Sequence, residues 1–453
     1  MSAAAPIAYG IDFGTSNSAI AAFLDDDTVE VVDVESGVGI LPSLVYLNRD
    51  GNRLAGTAAA DAFLISGTTR TRCRGCELVA WSGSEPSSAC EHVRFGGFCM
   101  DARLVHQVKS SLADKGFDTT HSWGVDFSAA DLVRTVLVRL KGAADQHFGA
   151  DVRKAAIGHP VRFVGAEGAN FRSAQQLALG RLQEAAYDAG FDQGVELVPE
   201  SKAAITLDGV GDGFLVCTDF GGGTFDCSVV DVDGEQSDVL ALDGASVGGE
   251  EYDGLLFDEF VSPAIGLNDF FLTADGQPMQ LPARLRRRLR SLSGLRSLLT
   301  DPSLAAMLSG LRDGADQQTL RTVQELLYGG QAVAFYRAIE RAKIELSDQS
   351  SAVIDFRRPW INLQQRVARS DFEDLIRPSL VRVKECLLNA CQAAGVDPTQ
   401  VGFLTRTGGS SRIPAFEALL HDVFPDAQLI DCDPFTAVVH GLAEYAGGEW
   451  ADD

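Results

Sequence analysis

Two glycine-rich turns headed by aspartate lie 207 residues apart in this chain and have nearly the same sequence. The first runs from Asp12 to Ser18 and the second from Asp219 to Asp226, and each lies between two short apolar runs. This pattern predicts a strand, a tight turn and a second strand, once in each half of the chain. Glycine lets the backbone approach a ligand closely, and consecutive N–H groups in such a turn form a concave anion site. Two such hairpins facing each other would hold one polyphosphate from both sides.

The excess of acidic over basic residues argues against some classes of function. The 453 residues carry 38 Lys and Arg against 63 Asp and Glu, a formal net charge of −25. Because this field repels phosphate backbones and anionic lipid surfaces, we expect neither a nucleic-acid partner nor a membrane partner. There is no run of about 18 apolar residues, and the N-terminus lacks the features of a secretory signal. Nine cysteines in a chain of this length are typical of a reducing compartment, and we expect the cytoplasm.

Strand and helix patterns alternate in both halves of the chain, which predicts an α/β protein of two lobes, with mixed sheets flanked by helices. We place the first lobe at 1–210, with an inserted and largely irregular subdomain at about 48–125. The second lobe is placed at 211–433, with an inserted helical subdomain at about 262–345. The C-terminal helix, 434–453, is expected to pack back on the first lobe. The two glycine turns would then lie at the cleft between the lobes, a favoured place for ligands.

A third glycine turn, Thr407 to Pro414, follows a predicted strand and opens a predicted helix. This geometry points the N–H groups of a helix start at an anion and leaves a glycine floor on which a flat ring would lie.

Six arginines between positions 284 and 296 have two interpretations. They form either a solvated helix face, with Leu285, Leu289 and Leu292 packed inward, or a docking patch for an acidic partner.

Taken together, these turns resemble those of the DnaK-type heat-shock 70 kDa chaperones, a family of the actin-like ATPase superfamily. The matching blocks occur in the order of that family, and they are 12–18, 199–204, 219–226, 247–253, 340–347 and 407–414. The resemblance implies a two-lobed actin-like fold of duplicated ribonuclease-H-like lobes. It also implies ATP and ADP as ligands, Mg²⁺ as the metal, K⁺ as a further candidate ion, and slow hydrolysis of ATP to ADP and phosphate.

The resemblance assigns roles in catalysis and metal binding. Asp12 and Asp219 would hold Mg²⁺ through water. The candidate catalytic residues are Lys109, Glu200, Asp226 and Thr224. Glu200 would orient or deprotonate the attacking water with the help of Asp226. Lys109 would lie near the γ-phosphate, the alternative being an ordinary surface lysine.

The resemblance also assigns nucleotide contacts. The phosphates would be cradled by Gly14, Thr15, Ser16 and Asn17 from one lobe and by Gly221, Gly222, Gly223 and Thr224 from the other. The ribose, the ring edge and the opposite wall would be contacted by Gly248, Gly249, Glu340, Lys343, Ser347, Gly408, Gly409, Ser410, Arg412 and Asp433. His159 and Pro160 stand where the family has a proline that relays the nucleotide state, the alternative being a strand that simply ends at proline.

Because the sequence ends at Asp453, we expect the family's peptide-binding domain to be absent. We therefore expect a stand-alone, YegD-like ATPase-domain member that acts as a nucleotide-dependent switch for an unidentified partner or client protein. The alternatives are an actin-like small-molecule kinase, a filament-forming protein and a non-hydrolysing nucleotide sensor.

Four cysteines fall in the first predicted insertion, at Cys73, Cys76, Cys90 and Cys99. Their spacing is compatible with a structural Zn²⁺ site in which His92 would be able to replace one thiolate. The alternatives are a redox-sensitive thiol group and unligated cysteines. The cysteines expected in apolar cores are Cys217, Cys227, Cys386, Cys391 and Cys432.

Overall fold

The protein is described from a computed structural model. The residues that the structure describes are 4–35, 39–48, 50–66, 102–106, 108–117, 120–122, 125–164, 166, 171–205, 210–234, 236–273, 275–298, 302–309, 317–328, 331–431 and 436–450. The strands, β1 to β20 in chain order, are Pro6–Phe13, Asn17–Leu24, Val29–Val31, Leu41–Pro42, Val45–Asn48, Arg53–Ala55, Ala102–Val105, Thr120–Ser122, Val125–Phe127, Lys154–His159, Gly194–Pro199, Gly213–Phe220, Phe225–Asp233, Gln236–Ala245, Phe270–Leu272, Pro278–Gln280, Ser351–Arg358, Ile361–Ala368, Val401–Thr407 and Gln428–Asp431. The helices, α1 to α14, are Thr57–Ser66, Ala129–Phe148, Phe171–Asp188, Glu200–Ala203, Gly249–Leu256, Ser262–Ala264, Ala283–Arg288, Leu292–Ser297, Pro302–Ser309, Gln318–Tyr328, Ala332–Asp348, Arg369–Ala394, Pro414–Val423 and Ala437–Trp450.

The first large sheet has the strand order β11-β10-β1-β2-β3, with β4 paired to β2. Strand β1 is antiparallel to β2 and parallel to β10, which is parallel to β11. Tyr9, Ile11 and Phe13 point into a core shared with α2 and α3. The other face of β1 is covered by α14, and a Cβ added at Gly10 would lie 2.2 Å from the backbone N of Ala443. The sheet is therefore buried on both faces, which explains why β1 and β2 are almost continuously apolar.

The second large sheet repeats this plan, with the order β14-β13-β12-β19-β20. Strand β12 is antiparallel to β13 and parallel to β19, which is parallel to β20. Helix α12 lies on β13 and β14, and Phe220, Phe225 and Phe416 pack edge to face in the core beneath. Because the two sheets have the same order of antiparallel and parallel neighbours, the predicted duplication of two α/β lobes is confirmed.

The first insertion contains strands and a helix where the structure describes it, so the expectation of an irregular segment was wrong for those residues. Strands β6 and β7 both pair with β5, and α1 packs on this small sheet. The physical reason is apolar burial: Tyr46, Ala59, Phe63 and Leu104 belong to the same buried cluster as the core of the second half. The insertion therefore packs against the second half of the chain.

The arginine-rich stretch forms α7 and the start of α8. Leu285, Leu289 and Leu292 are buried, while Arg287 is exposed, as expected for a solvated helix face. None of the helices in the described ranges is long and apolar enough to cross a bilayer.

Candidate functional site

The two aspartate-headed turns face each other and are in contact. A Cβ added at Gly222 would lie 2.6 Å from Ser16 Oγ, and one added at Gly223 would lie 2.9 Å from Thr15 Oγ1. Both distances are too short for carbon against oxygen, so a side chain at either glycine would displace the hydroxyl of Ser16 or Thr15. The structure thus brings the turn after β1 and the turn after β12 together, as the duplicated motif predicts.

The first turn is held from behind by a serine that the sequence analysis missed. Ser43 Oγ donates to the carbonyl of Gly14 at 2.8 Å and lies 2.8 Å from Ser18 Oγ, and the Ser43 N–H donates to the carbonyl of Ser16 at 2.9 Å. Ser18 and Ser43 are both buried. A lone serine in an apolar stretch carries no sequence signal of such a role, because the role depends on a partner 25 residues away.

Two other predicted blocks converge on the second turn. Ser410 Oγ donates to the carbonyl of Gly221 at 2.8 Å, and the Gly249 N–H donates to the same carbonyl at 3.2 Å. The Glu250 N–H donates to the carbonyl of Gly222 at 2.8 Å. The blocks at 219, 247 and 407 therefore form one hydrogen-bonded unit, although they are far apart in sequence.

Two further glycines are required by this packing. A Cβ at Gly248 would lie 2.3 Å from the carbonyl oxygen of Gly222, a backbone atom that has little freedom to move. Gly408 has φ of +81°, and a Cβ there would lie 2.6 Å from Asp219 Oδ1. These positions form a cradle that any larger side chain would fill.

A buried acidic cluster lies behind the turns and contains one ion pair. Lys109, in the 3₁₀ turn Val108–Ser111, places its Nζ 2.5 Å from Glu200 Oε1 at the start of α4. The two side chains are only 6% and 5% exposed, so Lys109 is not an ordinary surface lysine. Burial acts to lower the pKa of Lys109, but the negative charges of Glu200 and Asp12 outweigh the effect of burial, so the pKa of this lysine is raised.

The other carboxyls of the cluster are poorly solvated. Burial, followed by the charge of Glu200, raises the pKa of Asp12 to about 8 and the pKa of Asp219 to about 7. Lys109 acts in the opposite direction on both, and Thr407 Oγ1 donates to Asp219 Oδ1 at 3.1 Å. Thr407 was not assigned a role from sequence, although it is the first residue of the third glycine turn.

Asp226 shows the same pattern. Burial, then the charges of Glu200 and Asp219, raise the pKa of Asp226 well above its ordinary range. Its Oδ1 accepts from the Val161 N–H at 2.8 Å, whereas its buried Oδ2 has no hydrogen-bond partner in the described part of the chain. A hydrated divalent cation would stabilise the ionised form of these buried carboxyl groups, and their oxygens are the ligands that such a cation prefers. Asp12 and Asp219 therefore fit the predicted Mg²⁺.

The predicted sugar and base contacts lie on one face of α11. Glu340, Lys343 and Ser347 are spaced at i, i+3 and i+7. Lys343 Nζ lies 2.9 Å from the carbonyl of Gly249 and 2.9 Å from Asp253 Oδ2, so it joins α11 to the start of α5. Burial raises the pKa of Asp253 to about 6, and Lys343 acts against this shift.

Asp253 is a third residue whose contact sequence reasoning missed, after Ser43 and Thr407. Its place four residues after Gly249 in a recognised block was the available signal. In the third turn, Ser410 is buried, whereas Gly409 and Arg412 are exposed.

Asp433 lies outside the described residues, as do His92, Cys432 and the predicted zinc ligands Cys73, Cys76, Cys90 and Cys99. Among the residues that are described, no group of three or more His, Cys, Asp or Glu is arranged to hold a metal ion.

A small cavity lies between the two glycine turns and the turn that carries Lys109. Its lining residues come from both hairpins, from the Lys109 turn and from the segment after β10, and they are Thr15, Lys109, Ser110, Pro160, Phe163, Val164 and Thr224. His159, next to Pro160, is buried and stacks on Phe163 with ring centroids 6.2 Å apart. Burial lowers the pKa of His159, and its Nδ1 lies 2.9 Å from the carbonyl of Pro160.

Two mixed sheets of the same plan, with glycine turns that meet each other, define the actin-like fold of the ATPase superfamily. Comparison with known proteins identifies the family within this superfamily. The model of the Hsp70 protein family matches residues 8–281 and 332–447. The chain belongs to the Hsp70 family, and its fold is that of the Hsp70 ATPase domain.

Individual relatives are distant but align along nearly the whole chain. A mitochondrial heat shock 70 kDa protein of Solanum tuberosum is 25% identical over 449 residues, which cover 97% of this chain and 54% of that protein. Heat shock protein hsp-6 of Caenorhabditis elegans is 25% identical over 96% of this chain and 56% of its own length. The chaperone protein DnaK of Thermosipho melanesiensis is 23% identical over 96% of this chain and 58% of its own length. The chain thus spans about half the length of the curated relatives it matches.

Proposed function

We propose that this protein binds ATP with Mg²⁺ between its two glycine turns and hydrolyses the ATP slowly. The observation that carries the proposal is the contact of Gly222 with Ser16 and of Gly223 with Thr15, directly above a buried cluster that contains Lys109 and Glu200. Backbone N–H groups from both turns would bind the phosphates, because such turns form anion sites even in a strongly acidic chain. Asp12 and Asp219 would hold the metal through water. When bound, Mg²⁺ supplies neutralisation of phosphate charge.

The residues of this chain provide the elements that phosphoryl transfer to water needs, which are positioning and charge stabilisation. Glu200 is kept beside Lys109 at 2.5 Å, and a carboxylate held in this way would orient the attacking water or accept its proton. Lys109 lines the cavity between the turns, where its ammonium group would meet negative charge developing on the terminal phosphate. Asp226 has a free oxygen, Oδ2, with which to hold the same water. No covalent nucleophile is required.

We further propose that the nucleotide state sets the relation between the two lobes, and that a partner or client protein reads this state. The two turns belong to different sheets, so a change in the phosphates that lie between them would alter the contact between the sheets. Pro160 lines the cavity beside Lys109, which makes it a candidate to relay the change.

A reducing compartment such as the cytoplasm fits the described cysteines. The described cysteines, Cys217, Cys227, Cys386 and Cys391, form no disulfide with one another, and the sulfurs of Cys227 and Cys386 lie at a hydrogen-bond distance of 3.8 Å. Disulfides are rare in such a compartment.

Single-turnover hydrolysis of ATP tests the catalytic assignments. The wild type is compared with Lys109→Ala and Glu200→Ala, and each variant is expected to lose at least about tenfold in rate because each removes a positioned charge from the reacting group. Lys384→Ala, which removes a partly exposed lysine paired with Asp422, is the control and should retain the wild-type rate. Equal rates in the wild type and both site variants would refute the assignments. Strong stimulation of ATP consumption by one small molecule would instead indicate a kinase.

A further inference from the structure

Arg181 makes an unusual set of contacts with the segment that follows Lys109. This arginine lies on α3, and its Nη1 donates to the backbone carbonyls of Ser111, Leu112 and Asp114 at 3.2, 2.9 and 2.9 Å. Its Nη2 donates to the carbonyl of Phe117 at 2.8 Å. One guanidinium group therefore binds four carbonyls of a seven-residue stretch.

Turn contacts within the stretch are long, because the carbonyls of Ser111 and Asp114 accept from the N–H groups of Asp114 and Phe117 at 3.3 and 3.2 Å. The 3₁₀ turn Val108–Ser111 and the following bends leave carbonyls that no helix or strand ladder satisfies. The planar guanidinium has five N–H donors in a fixed arrangement, so it can bind several carbonyls at once, whereas a lysine has three donors and no such plane.

The contacts of Arg181 lead to Lys109 through one residue, Leu112. Leu112 accepts from Arg181 through its carbonyl at 2.9 Å, and its N–H donates to the carbonyl of Lys109 at 3.2 Å. Lys109 then places its ammonium group 2.5 Å from Glu200. Arg181 has no contact of its own with the acidic cluster among the described residues.

Helix α3 is a suitable base for this contact. Ala178, Leu182 and Ala185 are fully buried in the first core, which fixes the helix on both sides of Arg181 in sequence. A second contact supports the same stretch, because Lys115 Nζ donates to Ser173 Oγ at 2.6 Å.

We propose that Arg181 is a positioning residue for ATP hydrolysis: it holds the turn that delivers Lys109 to Glu200, and it does so without contacting nucleotide. This inference rests on the proposed function. Catalysis of phosphoryl transfer depends on placement within fractions of an ångström, so release of the turn lowers the rate more than it lowers affinity.

The first experiment measures single-turnover hydrolysis and the Kd of Mg·ATP for the wild type, Arg181→Ala and Arg181→Lys. Arg181→Ala is expected to lose about tenfold in rate with less than about a twofold change in Kd, and Arg181→Lys is expected to fall between. Arg172→Ala removes an exposed arginine from the same helix and is the matched control, with the wild-type rate expected.

A cycle with Lys109→Ala separates positioning from general stability. If Arg181 acts through Lys109, Arg181→Ala causes no further loss of rate in a Lys109→Ala background. The same fractional loss in both backgrounds, or a loss below twofold in the wild type, overturns the inference.

Hydrogen exchange tests the inference without any reaction, so its outcome is distinct from failure of the proposed function. In the nucleotide-free protein, Arg181→Ala is expected to raise the exchange rate of peptide 108–117 at least tenfold while Arg172→Ala leaves it unchanged. If Arg181→Ala does not fold, Arg181→Lys gives the same comparison with a smaller rise. Unchanged exchange in this peptide for both Arg181 variants would overturn the inference even if the protein proves to be an active ATPase.

Discussion

The pair formed by Lys109 and Glu200 gives a prediction that needs no nucleotide. At an effective dielectric constant of about 20, unit charges 2.5 Å apart attract each other by about 7 kcal/mol, most of which the desolvation of two buried side chains offsets. Removal of one partner lowers the stability of the fold by about 3–5 kcal/mol, because the other charge then remains buried without a partner.

We therefore expect Lys109→Met to lower the free energy of unfolding by about 3 kcal/mol at pH 7. The double variant Lys109→Met with Glu200→Gln buries no lone charge and keeps the side-chain shapes. Its loss in free energy of unfolding should therefore be smaller than the sum of the losses of the two single variants, by at least about 1.5 kcal/mol. The assay is equilibrium urea unfolding of the metal-free and nucleotide-free protein.

The control is a surface pair of similar length. Lys384 lies 2.6 Å from Asp422, but these side chains are 41% and 66% exposed. Lys384→Met should therefore cost no more than about 1 kcal/mol. Equal losses for Lys109→Met and Lys384→Met, or strict additivity in the buried double variant, would refute the reasoning.

Three further predictions address the cradle, the carboxyls and the cysteine segment. Because the folded pKa values of Asp12 and Asp219, about 8 and about 7, exceed the ordinary 3.8, the folded protein binds protons that the unfolded chain does not. The melting temperature of the metal-free protein should accordingly rise by about 2 °C or more as the pH falls from 9 to 6. The double variant Asp12→Asn with Asp219→Asn should show a smaller dependence of the melting temperature on pH. Gly248→Ala should weaken Mg·ATP binding at least about tenfold by calorimetry, since its Cβ would lie 2.3 Å from a backbone oxygen, whereas Gly142→Ala, in open space on α2, should not. Protein purified without chelator should contain about one equivalent of zinc by atomic absorption, and Cys73→Ser should remove it; a content near zero contradicts the zinc prediction.

Local patterns in the sequence were sufficient for the two hairpins. The strands around Asp12 and Asp219 follow from apolar runs interrupted by glycine, and such signals lie within a few residues of each other. The approach of the two hairpins to each other was also predictable, because a duplicated motif implies a duplicated lobe.

Contacts between distant segments were not predictable from such patterns. Ser43 and Asp253 act through partners that only the folded chain brings near, and neither residue type signals burial by itself. Lys109 was found through its place in the family order, and its burial beside Glu200 could not be derived from the residues around it. The first insertion was expected to be irregular because its polar composition concealed a few buried apolar positions, such as Ala59 and Leu104.

The central claim is that both glycine turns bind one metal-bound triphosphate, and calorimetric titration with Mg·ATP tests it most directly. We expect a heat of association with about one site per chain, and we expect Asp12→Asn with Asp219→Asn to weaken it at least about tenfold because both carboxylates that hold the metal are lost. A wild-type protein that gives no heat of association, or a double variant that binds Mg·ATP as tightly as the wild type, would contradict the account.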